Sequence, residues 1–348
     1  MQYNYLMHAL LGLAGSHSAL QIEDPNTHAT LSHRQQAILG LEETFKRWPP
    51  PAEEAHVMLA TSYLLCFQAS YIEDGFLEHI LSLRGCASLS QLILNDGLDG
   101  PFTAQANMHT VFEQSTFSAF PHLDQELACE ALLSLKAFSH LLSGPTAQPI
   151  EHALVASLVQ SIRPLLVPSI SSPQTAHSSD DTATPQNPLL FPSTTDAPTI
   201  DWSTITTPHP SGPNPLASFT ALMSSLLILS SFPHAQVLHL FDPANHLSAI
   251  VLSHFLAVRL VVSPLSAPQT GLRVPVAAMV KWTERVLDCV QGEWRAYVEW
   301  PRKVLRCMKE TLEGKRGLDF GDCLEMLRGD AGAFREGRGW NKLALKRE

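Results

Sequence analysis

Residues 57–89 read VMLATSYLLCFQASYIEDGFLEHILSLRGCASL, and how this stretch folds decides the rest. Over 58–72 the residues are apolar nearly all round, the pattern of a helix buried among others, without the strict alternation of a half-buried strand. Glu53 and Glu54 stand where its first turn would begin, and carboxylates there complement the positive end of the helix dipole. A second helical run spans 76–94 and meets a turn signal at Asn95, Asp96 and Gly97.

The same reading extends in both directions. Upstream, Leu31, Ile38, Leu41, Phe45 and Trp48 recur at helical spacing and predict one inward face, with Arg34, Glu42, Glu43 and Lys46 turned outward, until Pro49, Pro50 and Pro51 stop the helix. Residues 1–18 are apolar and rich in small side chains, but they lack a basic leader and carry His8, so they read as a helix of the folded protein and not as a secretory signal. Downstream, helical pattern covers 123–142, halted by Gly144 and Pro145, and then 150–166. Residues 168–215 are dense in Pro, Ser and Thr and cannot bury enough surface to offset the entropy of ordering them. Within that insert, 189–191 and the pair Ile200 and Trp202 are short apolar islands of a kind that usually has no fixed contact. Helices resume near Leu216; one places Pro301 in its first turn, aligns Val304, Leu305, Met308 and Leu312, and meets Gly314 as a left-handed stop. The expected organisation is all-α and multi-helical. A helical half over 1–166 and an insert over 167–215 precede a second helical half over 216–340 and a tail over 341–348.

Charged residues make up 16% of the 348 and apolar residues 45%, so the chain holds more apolar side chain than a minimal globule needs, which points to an internal pocket or a partner surface. A net charge of −10 argues against direct nucleic-acid binding, which begins with cations neutralising phosphates. The basic cluster Arg335, Arg338, Lys342, Lys346 and Arg347 reads as a solvated tail. Cys66, Cys86, Cys129, Cys289, Cys307 and Cys323 form no C-x-x-C pair and read as reduced core thiols. Neither 216–229, broken by serines, nor 249–262, with His254 and Arg259, reads as a membrane span. No two of the 16 histidines are closer than five residues, so no helix face carries two at the three- or four-residue spacing of metal ligands; a metal site would have to be assembled from distant segments, and surface or satisfied core histidines are the stronger expectation. Gly15, Ser16 and His17 lie in a helical pattern and not on a nucleophile elbow, and no phosphate-binding glycine loop occurs. Adjacent carboxylates at 53–54 and 73–74 do not converge on one point and read as caps or solvated faces. The expectation is a protein that is not an enzyme.

Residues 5–20 (YLMHALLGLAGSHSAL), 33–45 (HRQQAILGLEETF), 57–89 and 300–327 (WPRKVLRCMKETLEGKRGLDFGDCLEML) resemble the regulatory region of the fungal sterol uptake control proteins, of the zinc-cluster (Zn2Cys6) transcription-factor family. That resemblance implies a regulator of RNA polymerase II genes of sterol metabolism, located in the nucleus or shuttling with the cytoplasm, which binds a sterol or similar lipid and meets transcription machinery, partner proteins or a second copy of itself. Met58, Leu59, Tyr63, Leu64, Phe67 and Tyr71 would form one wall of the ligand pocket, with Met7, Leu10 and Leu11 opposite; the rival reading for each is plain core packing. No six-cysteine cluster stands in this chain, so zinc is expected only in a DNA-binding module outside it or lost from it, and no cofactor is expected here. A helical protein–protein scaffold, its apolar surplus serving as interface, is the alternative.

Overall fold

A computed structural model of the chain describes residues 3–19, 27–104, 120–168, 200–208, 212–267, 274–313 and 318–340. The fold is all-α, as the periodicity predicts. Among the described residues the only β-type pairing is a lone antiparallel bridge between Pro275 and Asp319.

Helices α1 (Asn4–Ala19), α2 (Thr27–Phe45), α3 (Ala52–Ala69) and α4 (Phe76–Asn95) form a packed series, with α1 on α2 and α3, and α3 on α4. Gly97 ends the series in the left-handed conformation, φ 63°, that its turn signal anticipates. The inward face of α2 differs from the expected one. Arg34, Ala37, Leu41 and Thr44 are buried, while Leu31 and Phe45 are 49% and 39% exposed. The cause is a close approach to α1: Gly40 lies against Tyr5 and Gly15 against Thr30 so tightly that a Cβ on either glycine would overlap the partner side chain. This contact selects the small face of α2, and Arg34 is carried inward with it. Its Nη1 donates to the Leu65 carbonyl at 2.9 Å and to Gln68 Oε1 at 3.1 Å, and Nε donates to Glu78 Oε1 at 3.1 Å.

Helix α4 belongs to two apolar clusters. Cys86, Leu89 and Ile93 complete a smaller one built on α1 to α3, and Phe76 and Ile80 enter a larger one. That larger core gathers α5 (Gln125–Ala137), α6 (Pro149–Ile162), α7 (Pro215–Ser231), α8 (His234–Leu240), α9 (His246–Val262), α10 (Ala277–Asp288), α11 (Glu299–Leu312), α12 (Phe320–Gly329) and α13 (Gly332–Glu336). At its centre is α9, in which every residue from 247 to 262 except Arg259 is buried. His246–Ser266 is long and apolar enough to cross a membrane by length and composition, but 94% of its most apolar window is buried inside the protein. Pro301 sits in the first turn of α11, and Val304 and Met308 are buried below it. All six cysteines are unpaired.

The insert needs a correction where it is described. Ile200 and Trp202 pack against the large cluster and Ile205 is 1% exposed, so this island is docked. Asp201 steadies it by accepting from Ser203 N at 2.9 Å and Thr204 Oγ1 at 2.8 Å. The island 189–191, Gly314 and the tail 341–348 lie outside the described residues.

Arg84 joins the two clusters at a helix end. Its Nη1 donates to the carbonyls of Leu229 at 2.9 Å and Phe232 at 2.5 Å, at the C-terminus of α7, where a cation also meets the negative end of the dipole. Replacing it, Arg84→Ala, is expected to cost about 1–2 kcal/mol in urea unfolding, with Arg84→Lys losing less. An unchanged unfolding midpoint for Arg84→Ala would show the contact to be inert.

Candidate functional site

The connection from α3 to α4 is where the two clusters meet. Trp282 on α10 donates its Nε1–H to the Ile72 carbonyl at 2.9 Å and so fixes this turn against the C-terminal helices. Phe76, the first residue of α4, then stacks on Trp282 with ring centroids 5.3 Å apart and meets Phe241 edge-on at 5.1 Å. Geometries of this kind add to the stabilisation that burial of the rings already provides.

A cleft of about 280 Å³ opens along this seam, floored by Phe76, Leu252 and Trp282. Its rim is charged, with Glu73, Asp74, Asp242 and Arg285, all exposed. Cys289 closes one end; burial, with Asp288 beside it, raises its thiol above the ordinary range, so it is a poor nucleophile at neutral pH. An apolar aromatic floor beneath a polar rim suits binding of one end of an amphipathic molecule. A wider groove lies between residues 121–125 and 327–331, where Asp124 and Gln125 are already committed. Asp124 caps α5 by accepting from Leu127 N at 2.8 Å, and Gln125 accepts from Val167 N at 2.8 Å while donating to the Leu123 carbonyl at 2.9 Å.

The nine residues expected to form a ligand wall are scattered. Met58 and Leu59 are buried in the small cluster, where Tyr63 and Leu64 pack against it half-buried. Met7 and Tyr71 are half-buried, and Tyr71 Oη meets His17 Nδ1 at 3.1 Å. Leu10, Leu11 and Phe67 are 42%, 43% and 45% exposed. None of the nine lines the seam cleft, whose nearest counterparts in the sequence are Glu73, Asp74, Phe76 and Leu77 on the turn just beyond α3. The seam floor was missed because Phe76 and Trp282 have the spacing of ordinary core residues.

Other sequence candidates resolve plainly. Ser16 lies within α1 and accepts from Gln68 Nε2 at 3.1 Å. His8 and His33 come together, Nδ1 to Nδ1 2.9 Å, yet among the described residues no group of three or more His, Cys, Asp or Glu could hold a metal ion. Arg335 pairs with Asp124 at 3.6 Å and also with Glu126, and Arg338 binds both oxygens of Asp330 at 2.7 and 2.8 Å, so these two cations are engaged by carboxylates and do not form a free basic tail. No protein-family model, curated protein or solved structure compared with this chain matches it.

Proposed function

We propose that this chain is a non-catalytic, ligand-responsive regulatory domain of the fungal zinc-cluster type, acting in the nucleus on genes of sterol metabolism, with a sterol-like lipid as effector at the seam cleft. One observation carries the reading. The stretch 57–89, which most specifically resembles the sterol uptake control proteins, supplies Glu73, Asp74, Phe76 and Leu77 to the cleft, at the junction of the two apolar clusters. A ligand wedged at such a junction changes how the clusters sit against each other, and that is the differential contact a switch requires. At about 280 Å³ the cleft is just below the roughly 300–1,000 Å³ of typical ligand pockets, so the effector inserts one end and the seam widens around it.

The test is thermal unfolding of the full chain with ergosterol or cholesterol. A ligand that binds only the folded state raises Tm, with about 2.7 kcal/mol of stabilisation at a hundred times Kd. Leu77→Trp, which fills the cleft mouth, is expected to abolish the rise. No rise with either sterol removes the ligand from the reading.

The scaffold alternative draws support from Leu10, Leu11, Leu31, Leu39, Phe45 and Phe67, apolar side chains left exposed on α1 to α3. Substituting these six by Ser would abolish partner binding under the scaffold reading and leave a sterol-induced rise in Tm untouched under the first.

A further inference from the structure

Arg259 is the only Lys, Arg, Asp or Glu of α9, one turn from the end of a helix otherwise buried from 247 to 262. A guanidinium keeps its charge and five N–H donors at any ordinary pH, so a protein that sets one deep normally surrounds it with acceptors. Arg34 has Glu78, Gln68 and a carbonyl; Arg84 has helix-end carbonyls. Arg259 has neither. Among the described residues no carboxylate and no carbonyl hydrogen-bonds to it, and its direct partner is the face of Phe255, 5.5 Å from the guanidinium carbon to the ring centroid.

The surroundings supply no negative charge. Phe255 stacks on Phe76 at 6.5 Å, Phe76 on Trp282 at 5.3 Å, and Trp282 faces His79 at 5.4 Å, so the guanidinium lies behind the floor of the seam cleft. His79 turns Nδ1 to the Cys66 carbonyl at 3.2 Å, and burial pushes the Cys66 thiol up to about 12, so it is protonated. Arg259 keeps a partial accessible area, yet the protein packed around it lowers its pKa to about 10.

We propose that Arg259 anchors an anion-binding site, taking the carboxylate of an amphipathic ligand whose hydrocarbon part packs beside Phe255, on the side of the aromatic stack away from the cleft. A planar carboxylate matches the two-pronged donor edge of a guanidinium. A phosphate dianion would need further cations, and none faces Arg259 among the described residues. The apolar half of the inference rests on the ligand-sensing reading above; the anion half stands independently of it.

The experiment measures Tm of the full chain with decanoate below its micelle concentration, decanol, acetate and inorganic phosphate, for the natural chain, Arg259→Met and Arg259→Lys. Decanoate is expected to raise Tm of the natural chain, with little effect from the other three. Arg259→Met removes an unpaired buried charge, so the free variant melts no lower than the natural chain and binds decanoate at least 10-fold more weakly. Arg259→Lys, which keeps the charge and loses the fork, is intermediate. Equal decanoate shifts in all three proteins, a phosphate shift matching that of decanoate, or a lower Tm for free Arg259→Met would each overturn the proposal. A sterol shift that persists in Arg259→Met while the decanoate shift is absent from the natural chain removes the anion site and leaves the lipid-sensing reading standing.

Discussion

Lowering the pH from 7.5 to 4.5 is expected to remove about 5 kcal/mol of folding stability through two buried histidines, His79 and His254. Both are neutral in the fold. His254 donates from Nδ1 to the Ile250 carbonyl at 2.9 Å and accepts at Nε2 from Ser134 Oγ at 2.8 Å, between the rings of Phe138 and Trp300. Burial pushes its pKa down to about 4. His79 is lowered to about 4 by burial first and by the charge of Arg259 second. A histidine whose folded pKa lies below its unfolded one contributes stability that is complete above the unfolded value, near 6.5, and is lost as the pH falls toward 4, because the unfolded chain takes the proton first. Each contributes about 2–3 kcal/mol over that window, so together they match much of the ~5–15 kcal/mol stability of an ordinary domain. Urea unfolding at several pH values tests this. The natural chain should lose its folded baseline near pH 4.5, and the double variant His79→Gln, His254→Gln should show a clearly flatter profile between pH 6.5 and 4. Equal profiles for the two proteins would assign acid lability to other groups.

How much of the fold could be read beforehand depends on whether the deciding contacts are local. The helices flanking Ile72 and Phe76 were legible because their apolar runs, the acidic first turn at Glu53 and Glu54 and the stop at Gly97 are all properties of neighbouring residues. The orientation of α2 was not. Its large apolar residues point one way by spacing, but the rotation is set by Gly40 meeting Tyr5 and Gly15 meeting Thr30, a fit between two surfaces that neither sequence segment contains alone. Arg34 was read as outward because charge usually is; its partners Leu65, Gln68 and Glu78 lie more than thirty residues away. Ile200, Trp202 and Ile205 were hidden in a stretch whose composition is that of a linker, although three apolar side chains at close spacing are enough to dock a short segment.

The site was less legible than the fold for a related reason. Helical spacing identifies which residues turn inward, and it picked out Met58 and Leu59 correctly as inward. It cannot tell a residue that meets a neighbour from one that faces a gap. The seam cleft is floored where Phe76 and Trp282 meet across about 200 residues, a contact that local spacing does not show. Arg259 did carry a signal. It was noted as a charge that disqualified 249–262 as a membrane span, and a lone charge in an otherwise apolar helix also asks what it pairs with.

Glu151 is expected to be the most costly single side chain to remove. It is fully buried in the first turn of α6, where Oε2 accepts from Gln148 N at 2.7 Å to close a capping box. Oε1 accepts from Ser248 Oγ at 2.5 Å and from Asn245 Nδ2 at 3.4 Å, and these two residues form the first turn and cap of α9. One carboxylate therefore faces the N-termini of two helices, and both dipoles present their positive ends to it. Removing it by Glu151→Ala takes the acceptor from the buried Ser248 hydroxyl and the part-buried Gln148 N–H, leaves Asn245 Nδ2 only His239 and Ser248, and withdraws the negative charge from both helix ends, at an expected cost of about 3–5 kcal/mol. Glu151→Gln preserves the shape but turns one amide N–H₂ toward an existing donor, so about 2 kcal/mol is lost. Ser248→Ala removes two bonds, the one donated to Glu151 Oε1 and the one accepted from Asn245 Nδ2 at 2.7 Å, and should cost about 1–2 kcal/mol. In the double variant Glu151→Ala, Ser248→Ala the serine's loss should shrink, since without the carboxylate its hydroxyl serves only Asn245 Nδ2, and this non-additivity distinguishes a shared network from two independent defects. Urea unfolding of the four proteins measures it. Additive losses, or a cost below about 1 kcal/mol for Glu151→Ala, would mean that α6 and α9 are held together by their apolar faces alone.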